Sequence, residues 1–362
     1  MRLADCSVPK MTPEIGTRDG MADGLIFCPA EEGVHAFLRA HAAGKALFVS
    51  DGGSYPVFAG VSAPRAVFAV LDGSDALPLF LMPDDVRCVL ASGGEATLVA
   101  ARVFAAVRGV PCALFPTDAA LDGALCKLAE ANVGGERMTA ELPLSHIFCD
   151  FTRMKGSFAQ AYCRLLLARL ALVEERAVSV LRQRERCACY ETVYGALMRI
   201  DPSPQEIVGL NARVRRAEDE GFPAGEGVTL AQLTDGAMPA WQAFRALSAL
   251  YSAFFRKGRA RRYVIPDYAA RCAIAGEEYG GQDIPTAAEY AQRALTLEKF
   301  RAEFVREIAA VVREREAYLR NLRALSGSYF EETGNCPLKI LPEKAPHGLV
   351  AVIRDFGLME EL

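Results

Sequence analysis

Between residues 24 and 143, short apolar runs alternate with stretches of helical spacing, and beyond Leu144 the runs fade. That alternation constrains the fold more than any other feature. Residues 24–28 read GLIFC, 46–50 ALFVS, 88–91 CVLA and 112–115 CALF; residues 66–70 and 78–82 are further strand candidates. Residues 31–43 and 96–108 lie between them with helical spacing, the second carrying Leu98, Val99, Ala101, Val103 and Val107. Strands that are apolar throughout are buried on both faces. This predicts a parallel sheet covered by helices on either side. Such sheets bind ligands at Gly-rich turns beyond their carboxyl ends.

Past Leu144 the pattern is helical: residues 157–184, 202–217, 231–255 and 287–325. Thr286 and Glu289 have capping-box spacing. Tyr290, Leu297, Phe300, Phe304, Ile308 and Val311 then form an apolar stripe, and Gly327 is a stop signal. The expected architecture is an α/β Rossmann-like domain over residues 1–143 and an all-α domain over residues 144–362, with a ligand-binding cleft between them. A length of 362 residues suits two domains.

The formal net charge of −4 argues against a nucleic-acid role, which needs a basic surface. The densest positive run, residues 256–262, reads as a solvated loop or a phosphate contact. No stretch has the roughly 20 apolar residues of a membrane span, and residues 1–23 lack an apolar signal core. The expected location is cytoplasmic, where the 11 cysteines read as small buried hydrophobes.

Four runs occur in a telling order. Residues 48–55 read FVSDGGSY, and residues 89–96 read VLASGGEA and open a helix. Residues 109–123 read GVPCALFPTDAALDG, and residues 147–150 read IFCD. The series resembles the dehydroquinate synthase-like and iron-containing alcohol dehydrogenase superfamily, most closely glycerol-1-phosphate dehydrogenase and its relatives. The resemblance covers residues 24–150 and is architectural beyond. It implies a dehydroquinate synthase-like fold, NAD or NADP and a divalent metal in the interdomain cleft, and a homo-oligomer.

The resemblance also assigns positions. Gly93 and Gly94 match the turn whose backbone approaches the cofactor pyrophosphate at a helix N-terminus. Glu95 stands where the family keeps a small residue; it either opposes a phosphate or serves as an acid at a helix start. Val99 replaces a family aspartate. Asp51 ends the second strand and reads either as a ribose ligand that disfavours a 2′-phosphate or as a turn cap. Thr117 falls near the cofactor, and Asp122 either faces the substrate hydroxyls or makes a turn with Gly123.

The metal site departs from the family, which uses one acidic residue and two histidines. The histidines here are His35, His41, His146 and His347, with none between residues 150 and 345. Arg164 stands at the family aspartate position by this alignment. It reads either as a fixed cation for an anionic substrate or as a solvated helix residue. Cys187 and Cys189 offer two thiols where zinc sites use three or four ligands, so no metal is expected. Three readings follow: an NAD(P)-dependent oxidoreductase of a polyol or polyol phosphate, a degenerate member that binds a small molecule or a partner, and a non-redox synthase or lyase on the same scaffold.

Overall fold

The computed structural model describes residues 25–41, 44–59, 61, 65–73, 75–142, 145–198, 200, 202–235, 238–257, 285–327 and 336–356. Contacts divide the chain into two units. The first runs through Ala161 and takes in Ser203–Asp219; the second comprises Tyr162–Pro202 and the described residues from Glu220 onward.

The first unit contains β1 (Leu25–Phe27), α1 (Ala30–His41), β2 (Lys45–Ser50), β3 (Ala66–Val70), α2 (Leu77–Phe80), β4 (Val86–Gly93), α3 (Glu95–Arg108) and β5 (Cys112–Pro116). It continues with β6 (Leu128–Val133), β7 (Glu136–Glu141), β8 (His146–Cys149) and the short α4 (Phe151–Met154). Six strands form one sheet in the order β1-β8-β5-β4-β2-β3, every pair parallel. One face packs on α1 through Val34, Phe37, Phe48, Leu90, Phe115 and Phe148. β8 follows the boundary expected at residues 143/144, yet pairs with β1 and β5 inside this sheet.

Residues 78–82, a strand candidate by composition, instead belong to α2 and the turn after it. The Asp75 carboxylate accepts the Leu77 N–H at 2.9 Å and starts a helical turn, and Pro78 is tolerated in a first turn because its missing N–H is not needed there. A two-stranded antiparallel hairpin, β6–β7, follows β5. Its turn, Gly134-Gly135, has φ of +64° and +87°. Those values suit glycine in a two-residue hairpin turn.

α5 (Phe158–Leu181) begins in the first unit and runs into the second; α7 (Pro204–Asp219) belongs to the first. The second unit holds α6 (Tyr190–Leu197), α8 (Glu226–Leu233), α9 (Pro239–Lys257), α10 (Ala287–Arg313), α11 (Arg315–Ser326), α12 (Leu341–Lys344) and α13 (Leu349–Asp355). Two expected helices are each divided. Residues 231–255 split between α8 and α9: Thr234 is extended, and Pro239 restarts the helix from a residue it keeps out of the helical region. Residues 287–325 break at Glu314, whose carboxylate is held by Arg169 at 2.6 Å and by the Tyr318 hydroxyl. The Thr286 capping box forms in both directions, and Gly327 ends α11 with φ +65°. No helix among the described residues is long and apolar enough to cross a membrane. Residues 258–262 of the basic run lie outside the described residues.

Phe48 is buried, with its ring centroid 5.0 Å from those of both Phe58 and Phe68. Phe48→Ala should lower the stability of the first unit by about 3–5 kcal/mol, read by urea denaturation.

Candidate functional site

The sheet topology locates the site. After β2 the chain continues to β3 on one side; after β4 it continues to β5 on the other. The connections diverge between β2 and β4, and a crevice opens at such a switch point beyond the carboxyl ends of the strands. Ser50 pairs with Ser92, and Gly93 pairs with Pro116. The register therefore sets Asp51, the Gly93-Gly94 turn and Thr117 side by side at this edge. Four of the residues singled out in the sequence are brought together here.

Their contacts are specific. The Asp51 carboxylate accepts the Gly94 N–H at 3.0 Å through Oδ2 and the Ser54 N–H at 2.7 Å through Oδ1. Gly94 precedes the first turn of α3, where unpaired backbone N–H groups and the helix dipole favour an anion. Asp51 is that anion in this structure. Asp51 therefore makes the turn cap of one reading and lies at the strand ends beside the glycine turn. Gly93 has φ +154°, and a Cβ there would lie 2.5 Å from Asp51 Oδ2. The Thr117 N–H donates to the Gly93 carbonyl at 3.3 Å, tying the ends of β4 and β5.

Glu95 is exposed at the first position of α3. Val99, at the position of the family aspartate, packs with Val103, Ala131 and Leu142 in an apolar cluster beside the hairpin. That face of α3 is covered by β6 and by Leu142, which favours an apolar residue at position 99.

The loop after Thr117 is held from several sides. Ser157 Oγ accepts the Ala119 N–H at 2.8 Å. Gly123 has φ +74°, and a Cβ there would lie 2.6 Å from the Glu95 carbonyl oxygen. Arg102, buried on α3, donates to the Gly123 carbonyl at 2.9 Å. Asp122 forms an ion pair with Arg215 of α7, which also pairs with Glu218 at 2.8 Å. Sequence reasoning missed Arg102 and Arg215. Each lies far along the chain from its partner, and only the fold joins them.

Asp150 follows β8 at the same edge and caps α4. Burial would raise its pKa, but hydrogen bonds from the Thr152 side chain and from the Ala30 and Thr152 N–H groups hold it below the usual carboxylate range. Arg164 lies half-buried on α5 in the second unit. Cys187 and Cys189 stand 3.8 Å apart, and burial pushes the Cys187 thiol up to about 12. No three His, Cys, Asp or Glu side chains among the described residues form a metal-binding group. A cavity of about 570 Å³ in the second unit is lined by Arg184, Arg186 and Lys299. Its arginines already pair with Glu175 and Glu191, so it is a weaker candidate than the crevice.

No protein-family model matches the chain, and no curated protein does. Solved structures do. The chain is similar to glycerol dehydrogenase from Schizosaccharomyces pombe at 15% identity and a TM-score of 0.46, over 84% of this chain and 91% of that one. It is similar to maleylacetate reductase from Rhizobium sp. strain MTP-10005 at 17% identity and a TM-score of 0.42, over 89% and 95%. It is also similar to 2-deoxy-scyllo-inosose synthase, whose structure is complexed with carbaglucose-6-phosphate, NAD+ and Co2+, at 15% identity and a TM-score of 0.41, over 75% and 83%.

Gly93→Ala should destabilise the first unit by about 1–3 kcal/mol, because it forces an unfavourable backbone conformation. It should also drive Asp51 from Gly94. In an Asp51→Gly background the loss should shrink, since the clash is gone; a double-mutant cycle by urea denaturation measures the difference.

Proposed function

We propose that the switch-point crevice binds a nicotinamide dinucleotide, and that the chain is an NAD-linked oxidoreductase of a polyol or polyol phosphate. One observation carries the binding: Asp51, the Gly93-Gly94 turn and Thr117 converge beyond β2, β4 and β5, with an anion already seated on the Gly94 N–H. The turn fits a phosphate there, since Gly93 adds no Cβ to the approach. Binding requires the phosphate to take over the Gly94 N–H. Asp51, once released, stands at the strand end from which a carboxylate accepts ribose hydroxyls. A 2′-phosphate beside that carboxylate is repelled, so NAD is favoured over NADP. Glu95 adds negative charge beside the turn and weakens either cofactor.

Bound nicotinamide would supply hydride transfer; the protein would position it. Asp122 is assigned to the substrate by resemblance, and Arg164 as a fixed cation for an anionic substrate. The metal centre of the superfamily has no matching donors: its histidines have no counterpart between residues 150 and 345. We therefore assign no step to a metal. That same departure, with Glu95, favours a second reading in which the crevice binds its ligand without redox chemistry.

Calorimetric titration of the full chain tests the binding. NADH should bind saturably at micromolar concentrations and NADPH more weakly, with Asp51→Ala narrowing the gap. No binding of either at millimolar concentration would contradict the proposal. If NADH binds, nicotinamide absorbance with a panel of polyols and polyol phosphates separates the two readings: turnover supports the oxidoreductase, and its absence supports the ligand-binding form.

A further inference from the structure

Within the second unit, two carboxyl groups meet, and no cation among the described residues is paired with either. Glu174 of α5 and Glu226 of α8 are buried, at 5% and 4% exposure. Between them stands the Tyr251 hydroxyl of α9, 2.8 Å from Glu174 Oε1 and 2.8 Å from Glu226 Oε2. The remaining donors are backbone groups. The Glu226 N–H donates to Glu174 Oε2 at 2.8 Å. The Leu349 N–H donates to Glu226 Oε2 at 2.9 Å, and the Val350 N–H donates to Glu226 Oε1 at 2.9 Å.

A proton count follows. A tyrosine hydroxyl has one proton and can donate to one carboxylate only. Its oxygen nevertheless lies at hydrogen-bond distance from two carboxyl oxygens. Two ionised carboxylates would leave one contact as a repulsion between lone pairs in a buried site, so a second proton must be present. The donors decide where it sits. Both oxygens of Glu226 accept backbone N–H groups from α13, which favours its ionised form. Glu174 Oε1 faces only the tyrosine. The proton therefore rests on Glu174 Oε1 and is donated to the Tyr251 oxygen, and Tyr251 donates to Glu226.

We propose that Glu174, Tyr251 and Glu226 form a one-proton clasp that fastens α13 to α8, and that the clasp weakens as pH rises and this proton is lost. The packing is built around it. A Cβ at Gly348 would lie 2.1 Å from Glu226 Oε1, so glycine is required for the approach. The helix it fastens is buried from Leu349 to Asp355. Charged groups on the surrounding elements are engaged elsewhere. Glu175 pairs with Arg184, and Arg176 pairs with Glu303 and Glu307. Arg354 and Arg293 both pair with Asp355. His347, Glu343 and Lys344 are exposed.

The direction with pH is set. Burial pushes both carboxyls above the ordinary carboxylate range, and the neighbouring Glu174 charge adds to the rise at Glu226. Above the ordinary glutamate value the folded protein therefore holds more protons than the unfolded chain, so this contribution to stability falls as pH rises until the retained proton is lost. One extra proton corresponds to about a tenfold rise in the unfolding constant per pH unit.

The test uses the full chain with urea denaturation from pH 5 to about pH 9, read by Trp241, the sole tryptophan, which lies buried on α9 with Tyr251. Glu174→Gln keeps a donor toward Tyr251 and should flatten the decline of stability across this window. Glu226→Gln turns an amide donor toward the α13 N–H groups and should destabilise at every pH. Infrared spectroscopy of 13C-glutamate-labelled protein supplies an independent readout. Wild type should show a protonated-carboxyl band at pH 6 that fades by about pH 9; the band should be lost in Glu174→Gln and kept in Glu307→Gln. A Glu174→Gln variant with the wild-type pH slope would overturn the clasp. So would a wild type with no protonated glutamate band at pH 6, whether or not either variant folds.

Discussion

The parallel pairing of β2, β4 and β5 is the constraint on which the candidate site depends. Each strand is short and buried, and its register is fixed because one residue of slip would reverse every side chain between the two covered faces. With Ser50 opposite Ser92 and Gly93 opposite Pro116, the next residues of three strands share one edge. Asp51 is 43 residues from Gly94 in sequence and one hydrogen bond away in space. A shift in that register would leave the glycine turn without its anion and Asp51 without its partner.

Buried charge is handled in two ways. In the first, Arg102 donates to the Gly123 carbonyl and Asp122 pairs with Arg215, so the loop after β5 is held by side chains of α3 and α7. In the second, Glu174 and Glu226 lie together without a cation among the described residues and are reconciled by Tyr251 and a proton. The first arrangement persists at any pH near neutrality, because arginine stays charged. The second carries the pH sensitivity.

Much of the first unit was legible in the sequence, since its signals are local. Apolar runs of four or five residues announced β1, β2, β4 and β5, and the order of the Gly-rich turns placed Asp51, Gly93, Gly94 and Thr117 at strand ends. The α2 segment misled because Leu, Phe and Met suit either element, and the deciding contact, Asp75 with Leu77, is a side-chain cap. The hairpin had a readable signal in Gly134-Gly135 that composition alone obscured, because β7 is mostly polar and Glu130 and Asn132 interrupt β6. Long-range partners were not legible: nothing near Asp122 points to Arg215, and nothing near Glu174 points to Glu226 or Tyr251. The helix break at Glu314 was likewise set by a neighbour distant in sequence, Arg169.

The central claim is that the anion seat on Gly94, now filled by Asp51, is a dinucleotide phosphate seat. A crystal structure of the chain grown with NADH tests it most directly. The account predicts the pyrophosphate over the Gly93-Gly94 turn, the Gly94 N–H donating to a phosphate oxygen, and Asp51 turned to the ribose. A dinucleotide bound elsewhere, or bound in the crevice with Asp51 still accepting the Gly94 N–H, would contradict it.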